Sequence, residues 1–545
     1  YISTLAALNH DIYLGPPTGD SRTEIEEFQP VNPYPAGLPL HLAALARQPC
    51  AHKRAQGRIE QHIARAPVID ENVASLTEHR NLVRREVRAA LARGEFPRSR
   101  AVVVTGVHMY GQLLDFEDFI VNNESAETEE SHKRMLSFLD THYRIWDSLV
   151  QDEGGFTVDF HGPRLHAVIV DPSLGPKEQI ERAIALAWRL TKAAEEVGQV
   201  SGFRTRARFG LDYGTCLALT TGRSHETDTL FLGSPANHAA KTVAAENVEG
   251  IFLSPRAQRY VQTMPAVGRL GNAQVLNEVI SRANQNYRFD NVDAAVAQII
   301  RGNYTPPEFT FRRHTPPLAT MKFGDLIPSQ SVRLGSASLF ADIDGYTSFV
   351  DEAISSGLAA IKAATTGIHV IREELNDVLK DDFGGKRVRF IGDCIQGLLA
   401  EGKTQDDPAQ AVENSIYCAS GMRDSFDLIR ERLRKMDTLD LAVGIEFGPV
   451  AVTRIGNRGD ASIRCAAGRA VIQSERVQQS ISGGGVRLGQ TALVHAPRNA
   501  EETILRASRI PGYDDVHNLL GSAMAPAIKI IRDDPEARPY CGEAS

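Results

Sequence analysis

Two aspartates stand where the chain changes direction. In FADIDGYTSF (340–349) an apolar, strand-like run delivers Asp342 to its end, and the chain then turns through Gly345 into a helical pattern. The first N–H groups of such a helix are free to meet phosphate. In RFIGDCIQG (389–397) a second apolar run turns at Gly392 and presents Asp393. Carboxylates on adjacent strand ends can bridge two Mg²⁺ or Mn²⁺ ions about 3.5–4 Å apart, which suits in-line attack on a phosphoryl group. A single strand-end Asp would mean little, since many cap a helix or close a turn; the pair carries the chemistry. Asp344, two residues past Asp342, reads as a capping or solvent-exposed residue.

The elements that must hold this pair occur twice. SLFADIDGYTSF, RVRFIGDCIQGLLA, LAVGIEFGPVAVTRIG and CAAGRAVIQSERVQ follow one another in the second half. VVVTGVHMYGQL, TVDFHGPRLHAVIV, RARFGLDYGTCLALTTG and LFLGSPANHAAKTVAAE follow in the same order in the first. Anchoring on Asp342, Gly392, Gly444 and Gly468 places Gly106, Gly162, Gly210 and Gly233 opposite them. The blocks alternate β and α patterns, so a tandem α/β (α+β) fold is expected. The division reads as an N-terminal arm and helical segment over 1–95, a first domain over 96–265 and a connector over 266–335 rich in proline and turn residues. A second domain follows over 336–490, with an extension over 491–545. Helical spacing recurs in 38–93 and in NVDAAVAQIIRG, and the tail suggests a helix near Asp514–Ala525 followed by a strand.

Composition narrows the partners. A chain of 545 residues exceeds one compact core, and 60 Lys+Arg against 68 Asp+Glu give a net charge of -8. That balance offers no groove for nucleic acid and no basic surface for an anionic membrane. Six dispersed cysteines without a C-x-x-C pair argue against a disulfide framework and for a cytoplasmic setting. No run of apolar residues is long enough to span a bilayer. The first residue is Tyr1, so an upstream piece is allowed for. His108 and His166, isolated in apolar strands, read as satisfied core residues.

FADIDGYTSF, FIGDC and GIEFGPVAV together resemble the motifs of the class III adenylyl and guanylyl cyclases. The resemblance is specific over 336–480 and weaker, mostly through the repeat, over 101–250. It implies two ferredoxin-like βαββαβ domains arranged head to tail with catalysis at their interface. It implies metal binding at Asp342, Ile343 and Asp393, with Gly345, Tyr346 and Thr347 at the triphosphate. The other half of such a pair supplies an asparagine for the ribose and an arginine for the transition state. Here the first half carries Asn237 and Lys241 at those positions but has Gly106 and Pro163 where the acids would be, whereas the second half carries Ile472 and Arg476. One composite site is therefore expected. Lysine keeps the charge of arginine and loses its bidentate fork. Arg458 falls near a family position that holds the triphosphate, and reads equally as a hairpin arginine.

The resemblance also places the base-reading position, four residues before the second metal aspartate, at Asp159 of the partner half, with the other near Thr229 or Leu230. A carboxylate accepts hydrogen bonds, so it suits uracil N3–H first, and guanine N1–H with its amino group second; an edge-strand acid in water is the plain alternative. In organisation the chain resembles the pyrimidine cyclases of bacterial anti-phage Pycsar systems, which implies a nucleoside triphosphate as substrate and a separate cyclic-nucleotide effector protein as partner. Residues 38–93 leave room for a homodimer. The competing reading is a catalytically dead pseudocyclase that keeps nucleotide binding, and a G-G-D-E-F-type hairpin of a diguanylate cyclase is not supplied by RFIGDC.

Overall fold

The computed structural model describes residues 48–69, 100–114, 116, 127–201, 205–221, 228–244, 248–261, 306–433, 436–457 and 462–497. Helix α1 (Gln48–Ala64) and strand β1 (Val68–Ile69) come first. The first half continues with β2 (Arg100–Leu113), α2 (Glu129–Asp152), β3 (Phe156–His161), β4 (Arg164–Ile169), α3 (Pro176–Ser201) and β5 (Ala207–Thr221). It ends with β6 (Asp228–Leu232), α4 (Ser234–Ala244), β7 (Gly250–Leu253) and α5 (Pro255–Tyr260). The second half holds β8 (Phe311–Arg312), β9 (Ser331–Asp344), α6 (Tyr346–Ser356), α7 (Leu358–Asp377), β10 (Lys386–Ile391) and β11 (Cys394–Leu399). It closes with α8 (Pro408–Leu433), β12 (Asp440–Gly456), β13 (Ser462–Ala467), α9 (Arg469–Gln479), β14 (Gly485–Leu488) and α10 (Gln490–His495).

The two halves build the same sheet. One runs β3-β4-β2-β5-β6 with β1 on β2 and β7 on β5; the other runs β10-β11-β9-β12-β13 with β8 on β9 and β14 on β12. This is the tandem α/β architecture expected from the repeat. The central strands are apolar on both faces because both are covered. In β9, Leu339, Ala341 and Ile343 join a core that includes Ile368, Ile371 and Ile416, while Val332, Leu334 and Phe340 pack with Val450, Val452 and Val471. Strand periodicity therefore sends Asp342 to the same face as Phe340, the face that α9 covers.

Close approach explains two glycines. A Cβ on Gly210 would lie 2.3 Å from the carbonyl oxygen of Ala239 on α4, and one on Gly444 would lie 2.3 Å from that of Ser474 on α9. Each half thus seats its last long helix directly on its fourth core strand.

Thr128 caps α2, with Ser131 completing a reciprocal capping box. From residue 306 onward the expected connector is folded structure. Leu318, Met321, Phe323 and Leu326 are buried against the second sheet, and β9 has begun by Ser331, ahead of the expected boundary at 336. Turn-rich sequence there conceals four apolar anchors. Helix α1 lies against α7, where Arg58 binds Glu374 and Asp382. His62 lies 3.2 Å from Asp377. Burial alone would lower the His62 imidazole, but Asp377 and Glu374 outweigh it and carry it up to about 9. The expected arm at 1–35, the NVDAAVAQIIRG helix and the tail helix and strand lie outside the described residues. No helix among the described residues is long and apolar enough to cross a membrane.

Candidate active site

Two residues before the end of β9, Asp342 stands opposite Ala442 of β12, one residue beyond the pairing of Ala341 with Ile395 of β11. Asp393 occupies the tight turn joining β10 to β11, where Gly392 takes φ +61°, a conformation that favours glycine. Adjacent antiparallel strands thereby bring the two acids together. Both are almost fully buried, at 3% and 2% exposure. Burial, reinforced by the charge of Asp342, pushes the Asp393 carboxyl up to about 7. Asp342 Oδ2 accepts a hydrogen bond from Gln478 Nε2 of α9 at 3.3 Å.

The surroundings of this pair separate ligand from scaffold. Asp344 is tied by backbone N–H groups, from Gly345 at 2.9 Å and Gly483 at 2.9 Å, and so closes a turn, which fits its capping assignment. Ile343 buries its side chain in the core, so only its backbone carbonyl could act as a ligand. Gly345 takes φ +81° and leads into α6 without a side-chain cap. That leaves the first N–H groups of α6 for an incoming anion. Tyr346 is buried, and its hydroxyl is pushed well above its usual range by burial and then by Asp393. Thr347 is half-buried. Arg372 of α7, which no sequence motif marks, places its guanidinium 3.8 Å from the Phe390 ring centre, and its charge opposes the rise at Asp393.

Two buried carboxylates side by side need a cation to be stable as anions, and hard oxygen donors suit Mg²⁺ or Mn²⁺. The donor set fits the metal role expected for Asp342 and Asp393. Among the described residues no third His, Cys, Asp or Glu joins them in a metal-ligating cluster.

The first half meets this site through α4. Ser234 N–H at its start donates to Asp351 Oδ1 of α6 at 2.8 Å. Asn237 is buried at 4% exposure, with no hydrogen-bond partner for Oδ1 among the described residues, and Lys241, four residues on and exposed, lies on the same helical face. Thr229 lies in β6. Asp159 reaches across the halves, where its Oδ1 accepts from Arg389 Nη1 at 2.9 Å. Arg458 lies outside the described residues.

The opposite interface repeats the scaffold with other side chains. Arg469 N–H at the start of α9 donates to Glu127 Oε1 at 2.8 Å, the counterpart of the Ser234–Asp351 contact. Register corrects one sequence alignment. Gly210 pairs with Tyr110, and its counterpart Gly444 pairs with Phe340, so the residue two places on, Gln112 and not Gly106, is the first half's counterpart of Asp342. The β4 and β11 ladders agree, pairing Leu165 with Gly111 and Ile395 with Ala341. Gln112 Oε1 accepts from Arg208 Nη2 at 2.8 Å. Beside Pro163, Arg164 and His161 both bind Glu475 of α9. An amide and a proline thus stand where the second half has Asp342 and Asp393, with Arg208 and Arg164 beside them and the Glu475 carboxylate of α9 paired with Arg164.

The two histidines of the first sheet are core residues. His108 Nδ1 lies 3.1 Å from His166 Nε2, and His108 Nε2 lies 3.1 Å from Cys216 Sγ. Burial holds His108 down at about 3 and pushes His166 well below its usual value.

The family model described as the adenylate and guanylate cyclase catalytic domain matches residues 112–287. This is the first half, whereas the metal motifs stand in the second. Relatives spanning both halves decide the matter. A uridylate cyclase from a Rhizobium species is 42% identical over 427 residues, 74% of this chain and 80% of the relative. A uridylate cyclase from Pseudomonas aeruginosa is 33% identical over 500 residues, 89% of this chain and 95% of the relative. The chain belongs to the class III nucleotidyl cyclase family. Among solved structures, a class III adenylyl cyclase-like ATP-binding protein from Pseudomonas aeruginosa is 32% identical with a TM-score of 0.75, covering 86% of this chain and 98% of that one. As a class III cyclase the protein is an enzyme that acts on a nucleoside triphosphate, and members of the family generally use two divalent metal ions.

Proposed function

We propose that this cyclase converts UTP to the 3′,5′-cyclic monophosphate and pyrophosphate at one composite site per chain. The observation that carries this is the joining of α6, which follows Asp342, to α4, which bears Asn237 and Lys241, by the Ser234–Asp351 hydrogen bond. Asp342, the Ile343 carbonyl and Asp393 would hold Mg²⁺ or Mn²⁺, which supplies Lewis-acid activation and charge neutralisation. Two protein carboxylates leave coordination for triphosphate oxygens to complete.

The chain's own residues do the rest. The turn at Gly345–Thr347 and the open N-terminus of α6 take the β and γ phosphates, with Arg458 assisting. Asn237 orients the ribose so that its 3′ oxygen faces the α-phosphorus. Lys241 meets negative charge as it grows on the α-phosphoryl oxygens. Asp159 accepts the uracil N3–H, and Thr229 lines the same base site. A carboxylate has acceptor capacity beyond the bond it takes from Arg389.

Guanine also presents N–H groups to a carboxylate, and the solved relative is described as binding ATP, so both compete with UTP in the test. Incubation of the purified chain with equimolar ATP, GTP, CTP and UTP and Mn²⁺ should yield cyclic UMP as the main product with matching pyrophosphate. Predominance of another cyclic nucleotide overturns the choice of base, and absence of any cyclic product overturns the composite site. We place the enzyme in the cytoplasm, where the four buried free thiols among the described residues would stay reduced, and its product on a separate effector protein in anti-phage defence, as the Pycsar resemblance implies.

A further inference from the structure

Asp159 and Arg389 are counterparts under the internal repeat. Asp159 pairs with His166 just after a register shift in β3, and Arg389 pairs with Gln396 just after a register shift in β10. Each stands three residues before its turn glycine, Gly162 or Gly392. Duplication therefore set one position face to face with itself across the two halves, and divergence gave it opposite charges joined at 2.9 Å. The bulges aim both side chains away from their ladders toward each other.

Exposure tells the two partners apart. The Arg389 side chain is 5% exposed and that of Asp159 is 28% exposed. Arg389 is nearly sealed, whereas the Asp159 side chain keeps partial exposure with its Oδ2 buried. Burial works against the Arg389 charge, but Asp159 outweighs it and keeps the guanidinium charged. Resting on the assignment of Asp159 as the base reader, we infer that Arg389, from the metal-bearing half, is the positioning residue for base selection. It fixes the orientation of the Asp159 carboxylate, which accepts hydrogen bonds. A carboxylate locked as an acceptor favours uracil N3–H and leaves cytosine N3, itself an acceptor, without a donor. Without Arg389, the Asp159 carboxylate loses the 2.9 Å contact that orients it, and its acceptance from uracil N3–H weakens while cytosine N3 gains no donor.

The test is the ratio of kcat/KM for UTP to that for CTP, measured with Mn²⁺ on the full chain. Wild type is compared with Arg389→Gln, Arg389→Lys, Asp159→Asn and the Asp159→Asn/Arg389→Gln pair, each first checked for folding by near-UV circular dichroism. Arg389→Gln should lower the ratio about tenfold or more, chiefly through a higher KM for UTP, with kcat for CTP kept. Arg389→Lys, which keeps charge without the fork, should fall between Gln and wild type. The double variant should be no less selective than Asp159→Asn alone, because Arg389 acts through Asp159. Equal losses for both nucleotides in a folded Lys or Gln variant, with the ratio intact, overturn the inference and leave the pair as a tie between halves. If Asp159→Asn changes the ratio and neither Arg389 variant does, only the role of Arg389 fails. A wild-type ratio in Asp159→Asn means that the assignment of Asp159 itself was wrong, and the inference falls with it.

Discussion

The Asp351 carboxylate accepts the Ser234 backbone N–H at 2.8 Å across the boundary between the halves. It caps a helix that belongs to the other half, and so fixes where Asn237 and Lys241 stand relative to the turn after Asp342. Glu127 does the same for α9 at the opposite interface, through the Arg469 N–H at 2.8 Å. The two contacts are alike in chemistry and differ in what the capped helix carries.

Asp351→Ala and Glu127→Ala should therefore lose comparable stability, about 0.5–2 kcal/mol for a lost cap, and differ in catalysis. Asp351→Ala should lower kcat about tenfold, because it frees the helix that positions the ribose and α-phosphate residues. Glu127→Ala should keep most of its kcat. Paired thermal melts and steady-state kinetics check this, and equal kcat losses would show that the interface acts as one rigid body with no separate active side.

Asp342→Asn and Asp393→Asn should each reduce turnover below about a tenth of wild type while the protein stays folded. In EDTA the melting temperature of Asp393→Asn should match or exceed that of wild type, since the change removes a buried charge beside Asp342. Added Mn²⁺ should raise the melting temperature of wild type and not that of the variant. A folded Asp393→Asn chain with more than a tenth of wild-type rate is incompatible with the metal assignment.

What the sequence made legible follows from how local each signal is. Asp342 and Asp393 sit inside short motifs in which strand, turn glycine and acid are contiguous, so the chemistry and its scaffold can be read together. The repeat was readable in block order but not in register: β2 runs on past Gly106 through His108 and Tyr110 with no residue that marks its end, and only the ladders show that Gln112 is the counterpart of Asp342. Contacts between halves left no trace at all. Arg389 and Asp159 are 230 residues apart, and Glu475 and Arg164 are 311 apart; nothing in either neighbourhood names the partner. Arg372, which no sequence motif marks, is 1% exposed and lies beside Phe390.

The α1 clamp should weaken in alkali. Asp377 and Glu374 raise His62 from its ordinary value to about 9, so the stability it contributes is complete below about pH 6.5 and is lost as pH rises through about 9. The difference in melting temperature between wild type and His62→Asn should be largest at about pH 6 and shrink by about pH 9.5. A difference that stays constant over that range would mean that His62 contributes packing alone.

The degenerate interface should bind no metal nucleotide, and calorimetry with a non-cyclisable UTP analogue and Mn²⁺ should find one site per chain. Glu475 is the residue that makes this more than a count. Burial works against its charge, but Arg164 and His161 overcome that and hold the carboxyl far below the usual range. A depressed carboxyl contributes stability that is present above its unfolded pKa and lost as pH falls toward its folded value. Glu475→Gln should therefore lower the melting temperature by the same amount at about pH 6 and about pH 8, with the gap closing only in strong acid. Because this interface has Gln112 and Pro163 where acids would be needed, the variant should still bind one nucleotide. Two equal, metal-dependent sites, in either protein, would mean that the second interface opens in solution and that the Glu475 cluster is a gate.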